Sequence, residues 1–97
     1  MPRYIMLNRY TQKGVESIEK SPARLDAVRK AFRKMGADVK DFYLVMGRYD
    51  SVVVAEAPDD ETMAKLALSV GALGNVHTET LRAFTEEEFR KITAAVP

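Results

Sequence analysis

Residues 38–57 (DVKDFYLVMGRYDSVVVAEA) constrain the fold more than any other stretch of the chain. Aromatic and branched residues fill Val39 to Met46, and three consecutive valines lie within Ser51 to Ala55. Side chains of this kind fit a pleated sheet. Between the two runs, Gly47-Arg48-Tyr49-Asp50 carries turn chemistry, with Gly47 free to take backbone angles that other residues avoid. The pattern predicts two antiparallel strands folded back on each other. The unbroken apolar run Phe42 to Met46 further predicts that both faces of this hairpin are buried.

The flanking segments supply its partners. Tyr4 to Tyr10 alternates, with Ile5 and Leu7 on one side and Tyr4, Met6, Asn8 and Tyr10 on the other. That period of two predicts a strand. Thr11 can cap a short helical turn, which Gly14 weakens. Ser21-Pro22 predicts a helix start, the serine supplying the capping oxygen and the proline needing no N–H partner. Leu25, Val28, Phe32 and Met35 then fall on one helical face, and Gly36 ends the helix.

After the hairpin, Pro58-Asp59-Asp60 starts a second helix with Met63, Leu66, Val70 and Leu73 as its stripe, closed near Gly71 and Gly74. Asn75 to Phe84 alternates as a fourth strand. Thr85 and Glu88 form a capping box for a last short helix, with Phe89 and Ile92 facing inward.

Strand, helix, strand, strand, helix, strand, then a terminal helix is the βαββαβ order of the ferredoxin-like α+β fold. Both main helices then cover one face of a four-stranded antiparallel sheet. Tyr4, Met6, Asn8, Tyr43 and Val45, with Val52 or Val54, are assigned to the other face. A face this apolar calls for a cover, and a second copy pairing back to back supplies one. A homodimer or larger homo-oligomer is therefore expected.

Composition narrows the classes. Ninety-seven residues with 46% hydrophobic content suit one globular domain, residues 1–97. No apolar run reaches the roughly 18–20 residues of a membrane span, and the opening Met1-Pro2-Arg3-Tyr4-Ile5 is not an apolar leader. With no cysteine, disulfides and thiolate metal sites are excluded, and a cytoplasmic location is the expectation. Fifteen basic residues against fourteen acidic ones leave a net charge of +1, which recruits no polyanion. Arg24, Arg29, Lys30, Arg33 and Lys34 read as a solvated helix face. Ser51 to Ala55 lacks the aromatics with which RNA-recognition sheets stack bases, so neither nucleic acid nor membrane is an expected partner.

The segments D-F-Y-L-V-M-G-R-Y-D, L-G-N-V-H-T-E-T-L-R-A-F and Y-I-M-L-N-R-Y-T, in this order of strands, resemble the GYD-domain family. Its Gly/Tyr/Asp signature corresponds here to Gly47, Tyr49 and Asp50. The resemblance implies a dimeric α/β-barrel architecture and no established activity. Related barrel groups include cofactor-free monooxygenases, haem enzymes, stress-response proteins and amino-acid-sensing regulators, so function does not transfer by fold.

Candidate site residues follow from side-chain chemistry. Arg48, Tyr49 and Asp50 beside Gly47 can fix an anionic or phenolic ligand, though turn chemistry alone accounts for the glycine and the aspartate. Tyr43 can join them as an aromatic wall. His77, the lone histidine, shares a strand side with Glu79 and Leu81. It serves as a general base, a haem ligand or an inert strand residue. A single histidine without cysteine makes a closed zinc site improbable, and neither metal nor cofactor is otherwise expected. The leading functional expectation is a small-molecule binding or regulatory module, its ligand lying between sheet and helices near the hairpin or subunit boundary. The alternatives are a cofactor-free oxygenase or isomerase acting on a small aromatic compound, and a structural assembly subunit.

Overall fold

A computed structural model describes residues 1–97. The strands are β1 (Arg3–Tyr10), β2 (Asp38–Leu44), β3 (Ser51–Glu56) and β4 (Val76–Ala83). They form one antiparallel sheet in the order β2-β3-β1-β4. The helices are α1 (Gln12–Glu16), α2 (Ser21–Lys34), α3 (Asp60–Ala72) and α4 (Glu86–Ala94), with a 3-10 turn at Ile18–Lys20. This is the ferredoxin-like α+β arrangement. Its smallest dimension, 18 Å, corresponds to one sheet plus one helix layer.

Local chemistry explains most element ends. Asp59 and Thr85 cap α3 and α4 by accepting from the Thr62 and Glu88 amides, and Glu88 reaches back to the Thr85 amide. Gly36, at φ +75°, turns the chain out of α2. Gly14 has a stronger reason than a weak helix. A Cβ there would lie 2.1 Å from the Asn75 carbonyl oxygen, so α1 packs its bare backbone against the entry to β4. Thr11 caps α1 as expected and also hydrogen-bonds the Gly74 carbonyl at 2.6 Å. Ser21 does not cap α2. It is the first helical residue, and its hydroxyl meets Tyr10 Oη at 3.0 Å.

The core lies between the sheet and α2 with α3. Phe32, Met63 and Leu66 descend from the helices onto Tyr4, Met6, Val39, Val53 and Ala55. Tyr4, Met6 and Asn8 are therefore on the covered face, not on the open one. Alternation separates two sides of a strand but does not say which side meets the helices. Cross-strand register assigns the open face to Ile5, Leu7, Val52, Val54, Tyr43 and Leu81. Tyr43, Val52 and Val54 keep their expected place there.

The hairpin is less buried than its composition predicts. Strand β2 is a sheet edge and ends at Leu44, leaving Tyr43, Leu44 and Met46 exposed. At the far end of the chain, Phe89 and Ile92 face solvent and not the core. Helix α4 follows β4 after the two helices that bury the covered face, so its apolar stripe has no partner within the subunit.

Candidate functional site

Two polar residues interrupt the covered face where its packing gives out. Asn8 on β1 stands directly opposite Ser51 on β3, and its Nδ2 donates to Ser51 Oγ at 3.2 Å. Asn8 is only 6% exposed, yet its Oδ1 has no hydrogen-bond partner. A buried acceptor left in that state costs about 1–3 kcal/mol. Asn8 is among the residues lining a cavity of about 80 Å³ between the sheet, the first half of α2 and the last turns of α3.

Apolar side chains make most of the cavity wall. Met6 and Val53 rise from the sheet, Leu25 and Val28 descend from α2, and Val70 comes from α3. The cavity's polar residues are Asn8, Tyr10, Ser21, Arg24, Ser51 and Asn75. Tyr10 and Ser21 bond each other at the wall. Arg24 Nη2 donates to the Ser17 carbonyl and, at 3.0 Å, to Ser17 Oγ. The space can therefore desolvate an apolar body beside a few amide and hydroxyl groups.

A second, shallower hollow of about 190 Å³ lies on the open face, lined by Leu7, Arg9, Tyr49, His77, Thr78 and Glu79. Tyr49 Oη donates to Glu79 Oε2 at 2.6 Å, and the Arg9 guanidinium sits 5.3 Å from the Tyr49 ring centre. Strand register places His77 opposite Arg9 and Glu79 opposite Leu7. A phenol, a cation, a carboxylate and an imidazole thus surround one patch, which can hold an anionic or phenolic group. It is the larger space, but its groups pair with one another at the surface. The apolar wall makes the smaller cavity the one able to desolvate a ligand.

The expected site residues separate accordingly. Tyr49 and His77 come together, joined by Arg9, while Glu79 accepts the hydrogen bond of the Tyr49 hydroxyl and does not hydrogen-bond His77. Tyr43 lies in the same cross-sheet row, Tyr43-Val52-Leu7-Glu79, two strands from the hollow. Asp50 acts on the backbone: its Oδ2 accepts from the Tyr10 amide at 2.9 Å and its own amide donates to the Asn8 carbonyl at 2.8 Å. It thereby ties the hairpin to β1. Gly47, at φ +140°, and Arg48 are exposed in the connection outside both spaces. His77 and the cavity occupy opposite faces of the sheet, so no one place offers an imidazole and enclosed volume for a haem.

The sequence profile of the GYD domain matches residues 4–93. The chain belongs to the GYD-domain family. Within this GYD protein, the signature residues Tyr49 and Asp50 both lie against β1, Tyr49 at the open-face hollow and Asp50 through hydrogen bonds to the strand's backbone. A relative named glutamine synthetase and cystathionine beta-lyase binding protein, from Thermus thermophilus, is 39% identical over 84 residues, 86% of this chain and 88% of the relative. A crystal structure of a Thermus thermophilus protein superposes with a TM-score of 0.56 and 26% identity, covering 88% of this chain and 95% of that one. The feast or famine regulatory protein of M. tuberculosis, solved with L-methionine, gives a TM-score of 0.67 at 15% identity. That match covers 88% of this chain but 51% of the regulator, and shows likeness of fold.

Proposed function

We propose that this GYD protein is a small-molecule binding or regulatory module that works as a homo-oligomer. The observation that carries the reading is the apolar-walled cavity between sheet and helices, with Asn8, Ser51 and Asn75 among its lining. The oligomer rests on the open sheet face, where Ile5, Leu7, Val52, Val54, Tyr43 and Leu81 lie side by side without a cover. The name of the Thermus thermophilus relative, a binding protein, supports recognition over turnover.

Native mass spectrometry of the protein purified from its own cells tests both parts together. The expected species is a multiple of the 10.9 kDa subunit carrying a small additional mass. A bare subunit with no retained mass, and no thermal stabilisation by metabolite mixtures, removes the reading.

The same relative supports a second reading, in which the module binds a partner enzyme. The exposed Phe89 and Ile92 on α4 favour it by offering apolar surface beyond the open sheet face. Co-sedimentation with purified glutamine synthetase from the same cells is the check. Independent sedimentation of the two at micromolar concentration sinks it.

A further inference from the structure

The open face is apolar in the middle and charged at both ends, and most of its charges are already matched. At one end Arg3, Lys40, Asp38 and Glu56 pair with one another. At the other, Glu79 holds the Tyr49 hydroxyl. Two exposed charges of opposite sign remain, Arg9 and Asp41. The Arg9 guanidinium has the Tyr49 ring beside it but no acceptor, and Asp41, opposite Val54 on the edge strand, has no hydrogen bond or ion pair in the subunit. We propose that the open-face hollow is the socket for a carboxylate of a second copy, the partner's Asp41. Two reciprocal Arg9–Asp41 pairs then set the register in which the open faces meet. This rests on the self-association through the open face proposed above.

Sheet register fixes where the two charges lie. Arg9 is on β1, two strands from β2, and four residues beyond Ile5, which shares a cross-sheet row with Asp41 and Val54. At about 4.8 Å per strand and 3.4 Å per residue they stand about 17 Å apart, too far to pair within one subunit. Two identical faces in contact are related by a two-fold axis lying between them. That axis brings Arg9 over the partner's Asp41 only if it bisects the line joining the two positions. The midpoint of the line is Val52, and the perpendicular through it runs to Leu81. The axis thus crosses the apolar middle of the face and leaves the charges at the rim, the usual anatomy of an interface.

The competing acceptor for Arg9 is the partner's Glu79. The axis which that pairing needs passes close to Asp41 and sets the two copies' Asp41 side chains against each other. With Asp41 as the acceptor, Glu79 instead lies toward the partner's Arg3, and no like charges meet. The hollow is also prepared for a carboxylate. Tyr49, tethered to Glu79 at 2.6 Å, holds the guanidinium 5.3 Å from its ring centre with the N–H fork unspent. Such a fork takes a carboxylate through two parallel hydrogen bonds, and an arginine facing an aspartate spans the roughly 10 Å between packed sheets.

Charge reversal tests the socket. Arg9→Asp and Asp41→Arg are studied singly, mixed in equal amounts, and combined in one chain, by sedimentation over a dilution series. Each reversal alone opposes like charges twice per dimer and should raise the self-association Kd about a hundredfold. Mixing the two variants restores both pairs in a one-to-one heterodimer, so association should return to within about tenfold of the native Kd. The doubly reversed chain should recover equally, which separates lost pairing from lost folding. Weakening without recovery in the mixture overturns the Arg9–Asp41 pairing, as does recovery in the doubly reversed chain alone. Single variants that associate normally, while Val52→Glu still dissociates, overturn the socket and leave the face as the contact. Normal association of Val52→Glu as well removes the open-face reading itself.

Discussion

The two faces of one sheet have similar composition and opposite fates. On the covered face, Tyr4, Met6, Val53 and Ala55 lie beneath Phe32, Met63 and Leu66 and are nearly inaccessible. On the open face, Ile5, Leu7, Val52 and Val54 are as apolar, yet nothing in the subunit lies over them, and Tyr43 and Leu81 are 57% and 44% exposed. Hydrophobicity therefore does not mark the inside of this protein; the placement of the helices does. The faces also differ where they end. The covered face runs out into Asn8, Ser51 and a cavity, the open one into Arg9, Tyr49, His77 and Glu79. One end is an apolar-walled cavity, and the other is a polar patch in which Tyr49 donates to Glu79 beneath Arg9.

The sharpest way to break this contrast is to truncate one residue on each side. Phe32→Ala removes a fully buried ring and should cost about 3–5 kcal/mol, a large part of the stability of a domain this size. Val52→Ala, measured in dissociated subunits, should stay within about 1 kcal/mol, in the range of partly exposed substitutions. Urea midpoints at matched slopes give both values, and equal costs would erase the distinction.

A charge on the open face probes the other half. Val52→Glu, flanked in register by Leu7 and Tyr43, should weaken self-association roughly a hundredfold, about 2–3 kcal/mol. Subunit stability should barely change. A dilution series followed by light scattering reads this, and unaltered association would place the subunit contact elsewhere.

The helix layer itself can be loosened at its cap. Asp59→Ala deletes the acceptor for the Thr62 amide at 2.8 Å and should cost about 1 kcal/mol in thermal unfolding, with Asp59→Asn nearly neutral. Equal losses in the two variants would mean that charge, and not the cap bond, is what Asp59 supplies.

The smallest effect vanishes at neutral pH. Burial first, and then the hydrogen bond to Asp60, push the Tyr4 phenol up to about 12 from its ordinary 10.0. The folded state then holds a proton that the unfolded chain releases, so stability is intact below pH 10 and falls as pH rises toward 12. Tyr4→Phe should flatten that alkaline slope. A slope unchanged in the variant would assign it to another group.

Much of this architecture was legible in the chain. The hairpin, the succession of strands and helices along the chain and the caps at Thr11, Asp59 and Thr85 depend on short spacings, which local chemistry fixes. The side of β1 that faces the helices was not legible, because Ile5 and Leu7 compete on equal terms with Tyr4 and Met6. Phe42 to Met46 read as buried for a similar reason. Composition suggested a central strand, and only the sheet order makes β2 an edge. Ser21 left its expected capping role because Tyr10, eleven residues earlier, claims its hydroxyl. Tyr49 and His77 were legible as candidates by side-chain chemistry alone. Asp50 was legible equally as a turn residue, which is how the structure uses it. A cleft between sheet and helices was expected, but the residues that line it were hidden. Asn8 and Ser51 are 43 residues apart and become a pair only through the β1–β3 register. Their one signal was two polar residues within otherwise apolar strands.

Solvent paramagnetic relaxation on the native protein tests most directly whether the open face is covered in the working assembly. A soluble gadolinium chelate is added while the Leu81 methyl groups, the Tyr43 ring and the Met46 methyl are observed. Met46, 99% exposed and beyond the end of β2, is the internal reference. The account predicts strong broadening at Met46 and protection at Leu81 and Tyr43, which are exposed in the single subunit. Broadening at Leu81 and Tyr43 in proportion to their exposure in the single subunit would show a bare face and contradict it.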